Sequence, residues 1–224
     1  NKRLANVDNL TLMLDEMTAS HNIASTNYLG LIMDSNLNWH DHIDYIASKV
    51  SSRLGLLGRI RKYITVDTCK QLHCSLIQPL YEYCDVVWSN ADKTHLQRLL
   101  RLQKRGVRLI LKRKTNDCRS SALFKELGWV NLTDRWTFHK CETVYRCLNH
   151  FCPSYLSNLF CRNSEVHNYN TRRKNDIHLI KIESKSGERS FTYKAAKLFN
   201  SLSATVKSAK SVTTFTNLYW RDKK

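Results

Sequence analysis

Short bursts of alternation open the chain. Leu10, Leu12 and Leu14 alternate with Thr11, Met13 and Asp15, and a second apolar run covers Tyr28 to Met33 beyond the polar stretch Thr18 to Ser25. A period of two predicts a hairpin or a pair of sheet strands. So small a sheet must lean on something else. The period then lengthens: Trp39, Ile43, Ile46, Val50, Leu54, Leu57 and Ile60 recur at helical spacing, and Asn38 with Asp41 reads as a capping box at the start. Gly55 and Gly58 lie inside this helix, where each costs about 1 kcal/mol relative to Ala, so they read as a packing notch. Thr65 or Asp67 caps a second helix carrying Cys69, Leu72, Leu76, Leu80 and Tyr83, kinked at Pro79 and ending near Trp88. Asp92 opens a third, from about Lys93 to Lys112. Beyond Asp117 the pattern predicts helices over Ser121 to Leu127 and Leu132 to Asn149 and a Pro153-started turn through Phe160. A basic extended loop from Asn163 to Asn175, a strand over Ile177 to Ile182, a helix over Ser190 to Leu202 and a helix from Ser211 complete it.

The expected fold class is therefore mainly α with a small β element. Its expected parts are a β-hairpin region (1–35), a three-helix bundle (36–115) and a mostly helical C-terminal region (116–224). The chain opens on Asn1 rather than Met and stops within a helical pattern, so it reads as a piece of a longer protein. Nothing in it has the layout of a signal peptide or the roughly 18 uncharged apolar residues of a membrane span. A soluble intracellular chain is expected, in the nucleus or the cytoplasm.

Charge changes the picture most. Thirty-six Lys and Arg stand against 19 Asp and Glu, a net charge of +17. The first 35 residues are slightly acidic, and the excess lies entirely beyond them, densest for its length over 36–115. Such a field attracts polyanions. Taking Arg98 as zero on an ideal helix, Arg101, Arg105, Arg108 and Lys112 fall between about 280° and 340°, whereas Leu96, Leu99, Leu100, Val107, Ile110 and Leu111 fall between about 100° and 220°. One face is core and the other a row of cations. No Asp or Glu occurs from Lys93 to Lys114, so the row has no partner in its own helix. Ordinary solvated faces mix signs. An unmixed row suits phosphate oxygens, which Arg meets in a forked geometry. The candidate nucleic-acid-binding residues are Arg98, Arg101, Arg105, Arg108 and Lys112, with Arg113 beyond them and Lys49 and Arg53 on the first helix.

Other constellations carry less. Of His40, Asp41, His42 and Asp44 only His40 and Asp44 share a helix face, and two ligands do not make a metal site. The eight cysteines contain no CxxC pair. Cys141, Cys147, His150 and Cys152 come nearest a zinc cluster, but their spacing lacks two ligand pairs, and half-buried thiols are the expectation. Tyr83, Cys84 and Asp85 are similar to a polymerase motif in which two aspartates follow, yet Val86 stands where the second carboxylate would be. The chain has no adjacent Asp pair. Two-metal phosphoryl transfer needs such carboxylates, so no catalytic residues, metal ligands or cofactors are assigned to this chain.

An ordered string of short motifs carries a family resemblance. Tyr28-Leu29-Gly30, Met33-Asp34-Ser35-Asn36-Leu37-Asn38-Trp39 and His42-Ile43 resemble the end of the palm of non-LTR retrotransposon reverse transcriptases. Leu76-Ile77-Gln78-Pro79-Leu80, Tyr83-Cys84, Trp88 and Leu102-Gln103-Lys104-Arg105 resemble the helical thumb of the jockey-like branch. Leu127-Gly128-Trp129, Cys147-Leu148-Asn149, Pro153-Ser154-Tyr155-Leu156 and Phe199-Asn200-Ser201-Leu202 extend the likeness through the C-terminal region. The resemblance implies the template-primer-binding part of an RNA-directed DNA polymerase. Its catalytic palm, with the Mg ions that the parent enzyme uses, would lie upstream in the same polyprotein. It further implies that Tyr28, Leu29 and Gly30 form a primer-grip-like turn and that the basic helix meets the backbone of an RNA–DNA or DNA duplex. The alternative expectation is a non-catalytic helical interaction or structural module derived from a decayed element.

Overall fold

The computed structural model describes residues 13–14, 18–19, 25–114, 118–166, 169 and 172–223. It is mainly helical with a small antiparallel β element. Strands β1 (Met13–Leu14) and β2 (Thr18–Ala19) pair with each other, and β3 (Ser25–Tyr28) pairs with β4 (Leu31–Asp34) as a separate hairpin. The expected alternation at Leu10 and Leu12 lies outside the described residues. The second apolar run is not one strand: Leu29 and Gly30, both at positive φ (49° and 83°), turn the chain inside it. Two consecutive left-handed residues make the hairpin turn whose twist matches the strands.

Helix α1 spans His40–Ile60. Its start departs from the sequence expectation, because no side chain of an Asn38–Asp41 box caps it. Instead Asp34, at the end of β4, accepts hydrogen bonds from the backbone N–H groups of Asn36 (3.0 Å), Asn38 (3.0 Å) and Trp39 (2.8 Å). Burial works to raise the Asp34 carboxyl, but the N–H groups of Asn38, Trp39 and Asn36 outweigh it and hold its pKa below the usual value. That carboxylate fixes a link in which Leu37 and Trp39 both take left-handed backbone (φ 52° and 64°).

Helix α2 (Val66–Leu76) starts as expected, with the Thr65 hydroxyl accepting from the Thr68 N–H (3.1 Å). Pro79 does more than kink the next stretch. The helix breaks at Ile77, and two short helices follow, α3 (Gln78–Glu82) and α4 (Asp85–Trp88), separated by Cys84 at φ 49°. Proline cannot donate to the helical ladder and clashes with the preceding turn. Two buried indoles tie down carbonyls at the second break, between α3 and α4: Trp88 donates to Tyr83 O (2.8 Å) and Trp136 to Tyr81 O (2.9 Å).

Helix α5 (Lys93–Ile110) lies against α1 and α2. Gly106 is what lets it come so close. A methyl group there would stand 3.1 Å from His73 Nε2 and 3.3 Å from a Leu54 methyl, while one at Gly58 of α1 would stand 3.3 Å from a Leu109 methyl. Gly58 is thus the notch expected of it; Gly55 has open space beside it and is not. Buried Gln103 ties α5 to the next helices, donating to Val130 O (3.0 Å) and accepting from Leu132 N (3.0 Å).

Helices α6 (Ser120–Leu127) and α7 (Leu132–Leu148) follow. α7 joins two hydrophobic cores: Trp136 belongs to one that runs from Leu31 through the bundle, and Phe138 opens another that includes Tyr145, Phe199 and Phe215. The second core is completed by residues of α8 (Ser154–Ser157), α11 (Phe191–Asn200), α12 (Ala204–Lys207) and α13 (Val212–Asp222), while the short helices α9 (Asn163–Val166) and α10 (Lys185–Glu188) lie between α8 and α11 in the chain and add no described residue to it. α9 occupies part of the expected extended loop. The expected strand over 177–182 reduces to a single bridge between Arg162 and Ile177, because the Asn200 side-chain amide takes both backbone groups of Ile177 (2.9 Å each).

Overpacking a close helix crossing costs about 1–3 kcal/mol. Gly106→Val should lower the stability of the chain by that amount, read from the midpoint of denaturant unfolding, and an unmoved midpoint would show that α5 does not need the gap. A second expectation concerns His73, whose ring is buried without a hydrogen-bond partner and whose pKa burial pushes down to about 4. The unfolded imidazole takes up its proton near pH 6.5, so stability is intact above that value and falls as the pH drops towards 4. The loss reaches about 3 kcal/mol on the usual linkage. His42, also lowered by burial, acts in the same direction. Replacing His73 by Leu should flatten most of this acid slope in pH-dependent unfolding; an unchanged slope would assign it to other groups.

Candidate nucleic-acid interface

Helix α5 sorts its side chains by face as its periodicity demands. Leu99, Val107 and Ile110 are buried, and Arg101 and Arg105 are exposed on the opposite side. Between α1 and α5 runs a groove of about 560 Å³ lined by Arg101, Arg105 and Arg108 of α5 and Gly58 of α1, together with Arg61, Arg113 and Lys114. Among the described residues no carboxylate lines it. Among the described residues no ion pair engages Arg101, Arg105, Arg108 or Arg113. Arg108 is half-buried, and its Nε has no hydrogen-bond partner. Like charges so gathered repel, and an anion in the groove relieves that repulsion.

The geometry of the helix end selects which cations face the groove. α5 closes with Lys112 in the left-handed region (φ 53°), Lys112 N–H bonding to Leu109 O (3.3 Å) and Arg113 N–H bonding to Arg108 O (3.0 Å). This is a Schellman turn, which reverses the chain over the last helical turn. It carries Lys112 out of the helical row and folds Arg113 back beside Arg108. Arg98 also leaves the row, because it forms an ion pair with Asp44 of α1. Neither Lys112 nor Arg98 lines the groove.

The first-helix candidates act elsewhere. Lys49 is exposed, with its ammonium 5.4 Å from the centre of the Tyr45 ring. Arg53 donates to the carbonyl of Leu76, satisfying the end of α2. Arg61, absent from the sequence expectation, is the cation that the C-terminal end of α1 brings to the groove, one residue past the helix. It also donates to Leu109 O (2.5 Å), a terminal carbonyl of α5. Its signal in the sequence was Gly58 one turn earlier, since a notch that admits Leu109 also brings the following turn against the end of α5.

Tyr28, Leu29 and Gly30 form the exposed tip of the β3–β4 hairpin, and they do not line the basic groove. The tip is fastened to the bundle by the Tyr83 hydroxyl, which donates to Leu29 O (2.6 Å); Gly30 N–H bonds to Asn27 Oδ1 (3.1 Å).

The remaining constellations separate into structural contacts. Asp85, in the stretch similar to a polymerase motif, is buried and bonds His139 Nδ1 at 2.5 Å. Burial would lower the His139 pKa, but the Asp85 carboxylate outweighs it and raises it. His40 stacks on His95 with ring centres 3.7 Å apart, His42 Nδ1 accepts from Ile32 N–H (3.3 Å), and Asp44 pairs with Arg98. Cys147 and Cys152 bring their sulfurs to 3.4 Å, while Cys141 is fully buried and His150 is exposed. Among the described residues no three His, Cys, Asp or Glu side chains are grouped to hold a metal ion. No described helix is long and apolar enough to cross a membrane. Comparison with models of known protein families, with curated proteins and with solved structures finds no match to this chain.

Proposed function

We propose that this chain grips duplex nucleic acid by its phosphate backbone, as the thumb and C-terminal part of an RNA-directed DNA polymerase of the non-LTR retrotransposon type. The single observation that carries the reading is the convergence of Arg61, Arg101, Arg105, Arg108 and Arg113 on one groove that no described carboxylate lines. Guanidinium groups meet phosphate oxygens in pairs of parallel hydrogen bonds, and neutralising phosphates releases condensed counterions. Contacts of this kind set position and affinity with little readout of bases. In this reading the substrate is an RNA–DNA or DNA duplex, in the nucleus or cytoplasm. The palm upstream in the same polyprotein supplies the carboxylates and the magnesium. The exposed hairpin tip, held by Tyr83, is the part of this chain that would meet that palm near the primer end.

Arg108 is half-buried, so the cleaner test reverses the two exposed arginines. Arg101→Glu with Arg105→Glu should weaken binding to a blunt RNA–DNA hybrid by about two orders of magnitude at low ionic strength, with the helical circular-dichroism signal intact. Unchanged affinity in a folded double variant would overturn the groove as the binding face.

A further inference from the structure

A second concavity shares helix α5 with the basic groove. It lies between α5, α6, the start of α7 and the end of α13, with a volume of about 1020 Å³. That is near the upper end of the roughly 300–1,000 Å³ common for small-molecule pockets. Its lining is mostly apolar, and two of the chain's five tryptophans, Trp129 and Trp220, stand in its wall. Each is half-buried and backed by another ring: Trp129 by His73 at 4.4 Å, Trp220 by Phe138 at 5.1 Å. Three exposed lysines, Lys104, Lys125 and Lys223, come from three different segments to the same cavity. Among the described residues its one carboxylate, Asp134, is already bonded to the Asn131 side chain that caps α7.

Aromatic rings with cations around them are the chemistry that holds unpaired nucleotides, the rings stacking on base faces and the cations meeting phosphates. A paired duplex does not offer its base faces, since they are covered by the neighbouring pairs. An apolar partner would gain nothing from three lysines. The position fits as well. On an ideal helix Lys104 sits about 60° around α5 from Arg101 and one turn along, so the cationic surface passes from the groove to the cavity over a single helix.

We propose that this cavity takes a short unpaired stretch of nucleic acid, the single-stranded continuation of a strand whose paired part lies in the basic groove. The inference rests on the duplex reading for the strand it follows. Stacking on Trp129 and Trp220 would then extend the binding site past the double-stranded end and favour substrates with an overhang.

Trp39, Trp88 and Trp136 are buried and out of reach of a stacking base, so quenching of tryptophan emission by a bound strand reports on Trp129 and Trp220 over the constant emission of the other three. The experiment titrates the full chain with a blunt RNA–DNA hybrid, with the same hybrid bearing a single-stranded overhang, and with the single strand alone, following anisotropy and tryptophan emission together. The overhang should tighten binding about tenfold and quench emission, in line with stacking of one or two bases. Trp220→Ala should remove the gain and leave blunt-hybrid affinity unchanged. Lys104→Gln with Lys125→Gln, at exposed positions that do not threaten the fold, should reduce it several-fold. An overhang that adds neither affinity nor quenching, or a gain that survives both variants, would overturn the proposal and leave the cavity to another occupant, such as a protein segment. Quenching by the single strand without any binding of the blunt hybrid would instead sink the duplex reading on which the proposal rests.

Discussion

The seating of α5 in the angle between α1 and α2 is the constraint on which the rest depends. Two glycines, Gly58 and Gly106, stand where a methyl group would press on Leu109, His73 or Leu54, and they bring the helix axes close enough for Leu54, Leu99, Val107 and Ile110 to share one core. Close packing of this kind tolerates little added volume. Once the apolar face of α5 is committed to that seam, its rotation is fixed. Its arginines then have one direction left to point.

Everything proposed about binding is a consequence of that rotation. The groove runs where Gly58 of α1 meets Leu109 of α5, and its charge comes from cations at the end of α1, on α5 and in the turn after α5, with no described acid among them. The turn at Lys112 adds selection. By placing a lysine in a left-handed position that usually favours glycine, the chain folds Arg113 back over Arg108 rather than prolonging the helix. The other face of α5 is used just as fully, with Gln103 bonding the backbone ahead of and at the start of α7, and with Leu100 and Lys104 opening onto the cavity that Trp129 and Trp220 line.

Much of the fold was legible because periodicity is a local property. The apolar spacing from Trp39 to Ile60 and from Leu96 to Ile110 defines α1 and α5 directly, and Thr65 announces the start of α2. What stayed hidden was set by partners distant in sequence or by competing local bonds. Asn38 and Asp41 satisfy the pattern of a capping box, but Asp34 takes the Asn38 N–H from the hairpin, together with those of Asn36 and Trp39. The alternation after Ile177 looked like a strand until Asn200 took its backbone groups. In the candidate site, Arg101, Arg105, Arg108 and Arg113 follow from the sequence. The loss of Arg98 to Asp44, the diversion of Arg53 to Leu76 and the entry of Arg61 do not, since each depends on how two helices cross. Trp129 and Trp220 are 91 residues apart in the numbering, and only the packing of α13 against α7 brings them to one cavity.

The central claim is electrostatic, that about five guanidinium groups act together on a phosphate backbone. Its most direct measurement is the dependence of duplex affinity on salt. Counterion release predicts a slope of log K against log salt of about −4 to −5 for five neutralised phosphates, with little change between duplexes of different sequence. A slope near zero, or an affinity that follows base sequence and ignores salt, would contradict the account.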